Sequence, residues 1–319
     1  MRSRIWVGCK RNRACGLAVV VVLSLLGCAS VPAVSYFEQP DQLAMDVELA
    51  HVGFYPQTQN QCGPAALATV LEHAGIVRTL QQLEADVYVP QRQGSLQLEM
   101  LGSARRAGVL PYLLQSELHA LWREVAAGHP VVVLQNLRWD WWPVWHYAVL
   151  VGYDKAAGTV ILRSGDEKRL VMPVADFEQS WAKASHWAFV ALPPDQLPAT
   201  ASVEKFVDAA MTLERVAPAQ AAQAYQTALH AWPNNLEARL ALGNSFYRQH
   251  DLHAAQVAYE QATEHHPHAA DAWNNLAQVL YETHQWAKAR QAIDKAVVLG
   301  GARLAHYKAT QLAIERKIP

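Results

Sequence analysis

The chain has 319 residues, 51% apolar and 17% charged, which suits two compact domains with ordinary hydrophobic cores and excludes a largely disordered chain. Its 27 Lys and Arg against 28 Asp and Glu give a net charge of −1. The first 28 residues hold five of those cations and no acid, so the remainder stands at −6, which argues against a nucleic-acid partner.

In chain order, Arg2, Arg4, Lys10, Arg11 and Arg13 precede an apolar run from Leu17 to Leu26. That run is too short to span a bilayer, and its layout is that of a secretory signal. The run ends in Leu25-Leu26-Gly27-Cys28, which resembles the bacterial lipobox. The resemblance implies cleavage before Cys28 and lipidation of its thiol, with a plain signal peptide cut nearby as the alternative. Two or more acyl chains hold a protein stably at a membrane. The expectation is therefore a lipoprotein of the bacterial cell envelope, signal 1–28 and tether 29–48. Ala29 after the cysteine places it, by the habit of such proteins, at the outer membrane facing the periplasm. Cys9 and Cys15 leave with the signal, so Cys62 is the one thiol left unmodified, and no intrachain disulfide can form.

Residues 49–193 read as one α+β domain. Helical patterns run from Pro64 to His73 closing at Gly75, from Thr79 to Val87, and from Leu96 to Ala107 closing at Gly108. Strand patterns follow at Val131 to Leu134, His146 to Tyr153, Thr159 to Arg163 and Trp187 to Leu192. A proline-rich linker, 194–202, leads to an Ala-rich helical region, 203–319, with a period of 34. Ala221, Ala255 and Ala289 mark that period, as do Tyr225 and Tyr259, and Pro233 and Pro267. Small residues at fixed places let paired helices approach, and the prolines end the second helix of each pair. The pattern resembles tetratricopeptide repeats, which implies a protein-binding surface, with Leu304 to Lys317 as a terminal capping helix.

Cys62 lies in Gln57-Thr58-Gln59-Asn60-Gln61-Cys62-Gly63-Pro64-Ala65, a loop entering a helix. A helix start favours the thiolate over the thiol. Cysteine hydrolysis also needs a histidine, a group that orients the imidazole, and oxyanion donors. The segment Trp145-His146-Tyr147-Ala148-Val149-Leu150-Val151-Gly152-Tyr153-Asp154 supplies the histidine. Together the two motifs resemble the bacteriocin-processing, double-glycine leader peptidases, a papain-like cysteine peptidase family. The resemblance implies a papain-like domain with Cys62 as nucleophile, His146 as general acid and base, and Gln57 as side-chain oxyanion donor. Many members place that glutamine six residues before the cysteine; here it stands five before, with Gln59 and Gln61 as rivals.

The family usually carries Asp-Pro at the end of the strand after the histidine strand, where this chain reads Arg163-Ser164-Gly165-Asp166. Motif register puts Ser164 in the acid's place. Hairpin arithmetic, with the turn centred on Ala156, sets residue 166 opposite His146 and makes Asp166 the orienting group, with Ser164 on the same face as its rival. Asp154 is a turn former. Trp139, Trp141, Trp142 and Trp145 crowd one loop that could clamp an extended peptide, lie at a membrane surface, or form a hydrophobic lid over the sheet edge. His265, His266 and His268 fall in a solvated turn between repeat helices, and no cofactor or metal is called for. The function expected is a lipid-anchored cysteine peptidase acting on peptide or protein substrates, its repeats recruiting a protein. The alternatives are an inactive scaffold, or an acyl or peptidyl transferase using the same pair.

Overall fold

The computed structural model describes residues 33–37, 43–56 and 61–317. The signal, Cys28, Gln57 and Gln59 lie outside them. A short strand, β1 (Asp46–Glu48), leads into helix α1 (Cys62–His73). This helix starts two residues before the expected Pro64, and it is buried without a break from Gly63 to Leu71. It is a core helix covered all round. In α2 (Leu80–Val87), Thr79 and Gln82 cap each other reciprocally, side chain to backbone N–H, which satisfies two donors a helix start leaves open. Two short strands, β2 (Tyr88–Val89) and β3 (Gly94–Ser95), pair antiparallel before α3 (Gln97–Arg106).

The sheet that follows has the spatial order β4 (Leu110–Leu113), β9 (Ala188–Leu192), β5 (Val131–Asn136), β6 (Trp145–Asp154), β7 (Thr159–Ser164) and β8 (Glu167–Pro173). All neighbours are antiparallel. β1 pairs with Gly152–Asp154, beyond the stretch of β6 that β5 covers. All six residues of β5 are buried, because helices pack against it from the N-terminal half and from α5 (Val174–Ala182), so alternation vanishes. The edge strand β8 exposes Glu167, Lys168 and Arg169, charges that blunt edge-to-edge pairing. One further helix, α4 (Leu118–Ala126), also falls among the strands. Helices first and sheet after is thus the main order, with α4 and α5 inserted.

Past β9 the proline-rich linker is fastened down. Glu124 of α4 is fully buried, and its carboxylate accepts the N–H groups of Ala199 and Thr200 and the Thr200 hydroxyl. The same carboxylate lies 2.7 Å from His129 Nδ1. The Tyr112 hydroxyl accepts from Ser202 N–H and donates to Thr200 O. Among the described residues seven helices follow: α6 (Val203–Met211), α7 (Pro218–Ala231), α8 (Leu236–Arg248), α9 (Leu252–His265), α10 (Ala270–Glu282), α11 (Trp286–Leu299) and α12 (Leu304–Glu315). The small residues do what the period suggests: a Cβ on Gly243 would come within 2.4 Å of the Tyr259 ring. One apolar core runs from the sheet through α6, α7 and α8 to α9, and a second joins α9 to α12.

Candidate active site

The backbone reaches Cys62 along a segment pinned on two sides. Arg163 of β7 is 3% exposed, and its guanidinium donates to the carbonyls of Val52, Leu49 and Lys168. These bonds, with a further one to Ala50 O at 3.5 Å, satisfy a cation that burial would otherwise penalise. On the other side Tyr55 hydrogen-bonds Glu72 of α1, and the Gly53 backbone lies against the same carboxylate.

Cys62 is the first residue of α1 and is half-buried. A Cβ on Gly63 would meet Ser95 Oγ at 2.3 Å, so glycine is what lets β3 close on the helix start. Burial pushes the Cys62 thiol up, and the backbone N–H groups of Tyr147, Gly63 and Cys62 itself oppose that only in part. The helix start therefore does not prevail: desolvation outweighs it.

His146 stands near the start of β6, with Nε2 2.8 Å from Ser164 Oγ. Burial pushes the imidazole down. Both shifts favour the neutral thiol and the neutral ring over an ion pair. With Nε2 engaged by Ser164, Nδ1 is the nitrogen left to serve the sulfur, and the tautomer that serves is the one in which Nε2–H donates to Ser164.

The register of β6 with β7 does extrapolate to 166 opposite 146, since Val149 faces Arg163. The strand stops short of it. β7 ends at Ser164, which pairs with Glu167, and Gly165 (φ +59°) with Asp166 forms the turn between them. Asp166 is exposed in that turn, and the structure brings Ser164, not Asp166, to the ring. Gln61 is committed elsewhere, donating to Glu84 Oε2 at 3.1 Å.

Cys62 and His146 line one cleft of about 1030 Å³ between the helical half and the sheet half. Residues 92–97 form one wall; Leu134, residues 143–147 and Trp187 form the other, with Lys183 to Ser185 at its end. Tyr147 ties the walls together, its hydroxyl donating to Ser95 O at 3.2 Å and its ring edge-on to Trp187. The cleft can thus seat an extended chain beside a sulfur and an imidazole, the arrangement needed for acyl transfer to a thiol.

Residues 33–189 match the model of the peptidase C39 like family, and residues 205–255 and 240–303 match a tetratricopeptide-repeat model. The chain joins a C39-like peptidase domain to tetratricopeptide repeats. A structure described as a C39-like peptidase from Bacillus anthracis is 20% identical, covering 47% of this chain and 98% of that one, TM-score 0.40. The peptidase domain of Streptococcus ComA is 21% identical, covering 44% and 99%, TM-score 0.37. Stress-induced-phosphoprotein 1 of Caenorhabditis elegans is 37% identical over 75 residues, 24% of this chain. The chain spans 23% of that relative's length.

At the mouth of the C39-like domain's cleft the tryptophan loop stands in solvent. Trp139, Trp141, Trp142 and Trp145 are 53–75% exposed, which rules out a lid over the sheet edge. The loop is nevertheless built: buried Asn136 accepts from the N–H groups of Arg138 and Val144, Lys183 Nζ donates to Arg138 O, and Trp139 stacks on Trp141 at 5.4 Å. Sequence reasoning missed Arg163, Asn136 and Ser95 as parts of this site. A lone arginine inside the apolar strand Thr159–Ser164 was the available signal. Among the described residues no group of three or more His, Cys, Asp or Glu is placed to hold a metal ion, and His265 ends α9. None of the described helices is long and apolar enough to cross a membrane.

Proposed function

We propose that this protein is a cysteine peptidase of the bacterial cell envelope, anchored through lipidated Cys28, whose repeats recruit a protein substrate or partner. The observation that carries the catalytic part is the shared cleft, with Cys62 on one wall and a Ser164-held His146 on the other. His146 Nδ1 takes the thiol proton as sulfur attacks the scissile carbonyl. The Cys62 backbone N–H and a glutamine of the preceding loop, Gln57 in this reading, stabilise the oxyanion. Collapse breaks the C–N bond, and the imidazolium returns its proton to the leaving amine. Water, deprotonated by His146, then cleaves the thioester and frees the carboxylate product and the thiol.

A scaffold without catalysis is the second reading, favoured by one feature: Ser164 can orient the ring but carries no charge to stabilise an imidazolium. The test is digestion of envelope-derived peptides by the purified full chain, with new termini read by mass spectrometry. The peptidase reading expects cleavage that is lost in Cys62→Ala and in His146→Ala. Identical peptide patterns from wild type and Cys62→Ala would leave the scaffold. Products joined to added amines instead of water would assign a transferase.

A further inference from the structure

The period of 34 makes Arg239 of α8 the counterpart of Trp273 of α10, and Gln261 the counterpart of Lys295. Trp273 fills its place: the indole N–H donates to Pro267 O at 2.9 Å, and Lys295 Nζ sits 4.0 Å over the ring. Arg239 copies the first contact, donating from Nη2 to Pro233 O, and from Nη1 to Gln261 Oε1 at 2.9 Å. A guanidinium is smaller than an indole, and here a groove of about 500 Å³ opens between α7 and α9 over α8.

The charge in that groove is unbalanced. Arg239 is 7% exposed, its Nε is buried without a hydrogen-bond partner, and neither of the acceptors above is a carboxylate. No Asp or Glu lines the groove, whereas His230 does. One repeat further on, the place of His230 is taken by Glu264. Leu242, Phe246 and the 41% exposed Val257 supply an apolar surface beside the cation. A buried cation without an anion is costly, and a carboxylate that replaced the neutral Gln261 acceptor would relieve it.

We propose that the groove between α7 and α9 binds a partner's peptide segment, setting a carboxylate on Arg239 and a neighbouring apolar side chain on Leu242, Phe246 and Val257. The proposal is independent of Cys62 chemistry, and it rests on the recruiting role given to the repeats, for which it names the chemistry. The partner segment carries a carboxylate beside an apolar side chain, and the order of those two side chains decides its direction in the groove.

The test uses the full chain and fluorescein-labelled, C-terminally amidated octapeptides in which one Glu adjoins one Leu or Phe in a Gly-Ser background. The same peptides with Gln for Glu are the controls, and anisotropy gives the affinities. Glu peptides should bind at least about ten-fold tighter than Gln peptides, and the advantage should shrink between about 50 mM and about 500 mM salt. Arg239→Gln should remove it. Arg239→Trp installs the residue the next repeat carries, so it should fill the groove and abolish binding with an unchanged or raised Tm. Binding that ignores the Glu, or that survives Arg239→Trp, overturns the groove while leaving recruitment elsewhere on the repeats. A panel that binds neither protein overturns the proposal, and digestion by Cys62 is unaffected by either result.

Discussion

At the scale of single residues, the site is governed by burial more than by charge. Desolvation raises Cys62 and lowers His146, and both shifts favour the neutral pair. Alkylation of Cys62 by iodoacetamide should therefore show a pH midpoint above the ordinary thiol value of 9.0, and a midpoint in the acid range would mean an ion pair at rest. The acid limb of kcat/KM should lie below the ordinary imidazole value of 6.5. The sign for stability follows. Folded His146 binds its proton less readily than the unfolded chain does, so its contribution is full above pH 6.5 and is lost as pH falls through the folded value. Ser164→Asp supplies the missing charge: it should raise the imidazole, bring the Cys62 midpoint down, and cost about 1–3 kcal/mol of stability for the buried carboxylate. An unchanged midpoint in a folded Ser164→Asp protein would show that residue 164 does not face the ring.

At the scale of elements, the cleft depends on how tightly β3 closes on α1. Gly63→Ala should force Ser95 away, costing about 1–3 kcal/mol by denaturant melting and slowing thiol labelling along with it. A stable Gly63→Ala protein with wild-type labelling would show that the close approach is dispensable. Much of this architecture was legible in the sequence, for reasons specific to each element. The apolar run after Cys62 announced α1, and the alternation from His146 to Tyr153 announced β6. β4 was hidden by Pro111, and β8 by its exposed Glu-Lys-Arg start. α4 and α5, nine residues each, went unread where the shorter α2 did not, for α2 opens on a capping pair, Thr79 and Gln82, that neither of them has. At the site, Cys62 and His146 were legible because their flanking residues are distinctive. The orienting group was legible only as a rivalry: motif register gave Ser164, and hairpin arithmetic gave Asp166, which lies two residues past the end of β7 because the Gly165–Asp166 turn closes the strand. Arg163 acts on a stretch far away in the chain, about which spacing alone says nothing, whereas Asn136 holds the loop that directly follows it.

At the scale of the whole molecule, the linker is the structural joint. Glu124 holds Ala199 and Thr200, and the apolar core continues from the sheet into the repeats. Glu124→Ala would leave those N–H groups and His129 without this acceptor, a loss of about 1–3 kcal/mol for each buried donor left unsatisfied. Calorimetry should show one unfolding transition for the wild type and two for Glu124→Ala. A single transition at the wild-type Tm would mean that the repeats are held by the apolar contact alone. Under the proposed function, a joint of this kind would fix where a recruited partner enters relative to the cleft. The most direct check of that function is the rate at which a peptidyl electrophile labels Cys62. The account predicts labelling far faster than that of free cysteine, by about 100-fold or more, and its loss in a folded His146→Ala protein. Wild-type labelling no faster than free cysteine, and indifferent to His146, would contradict it.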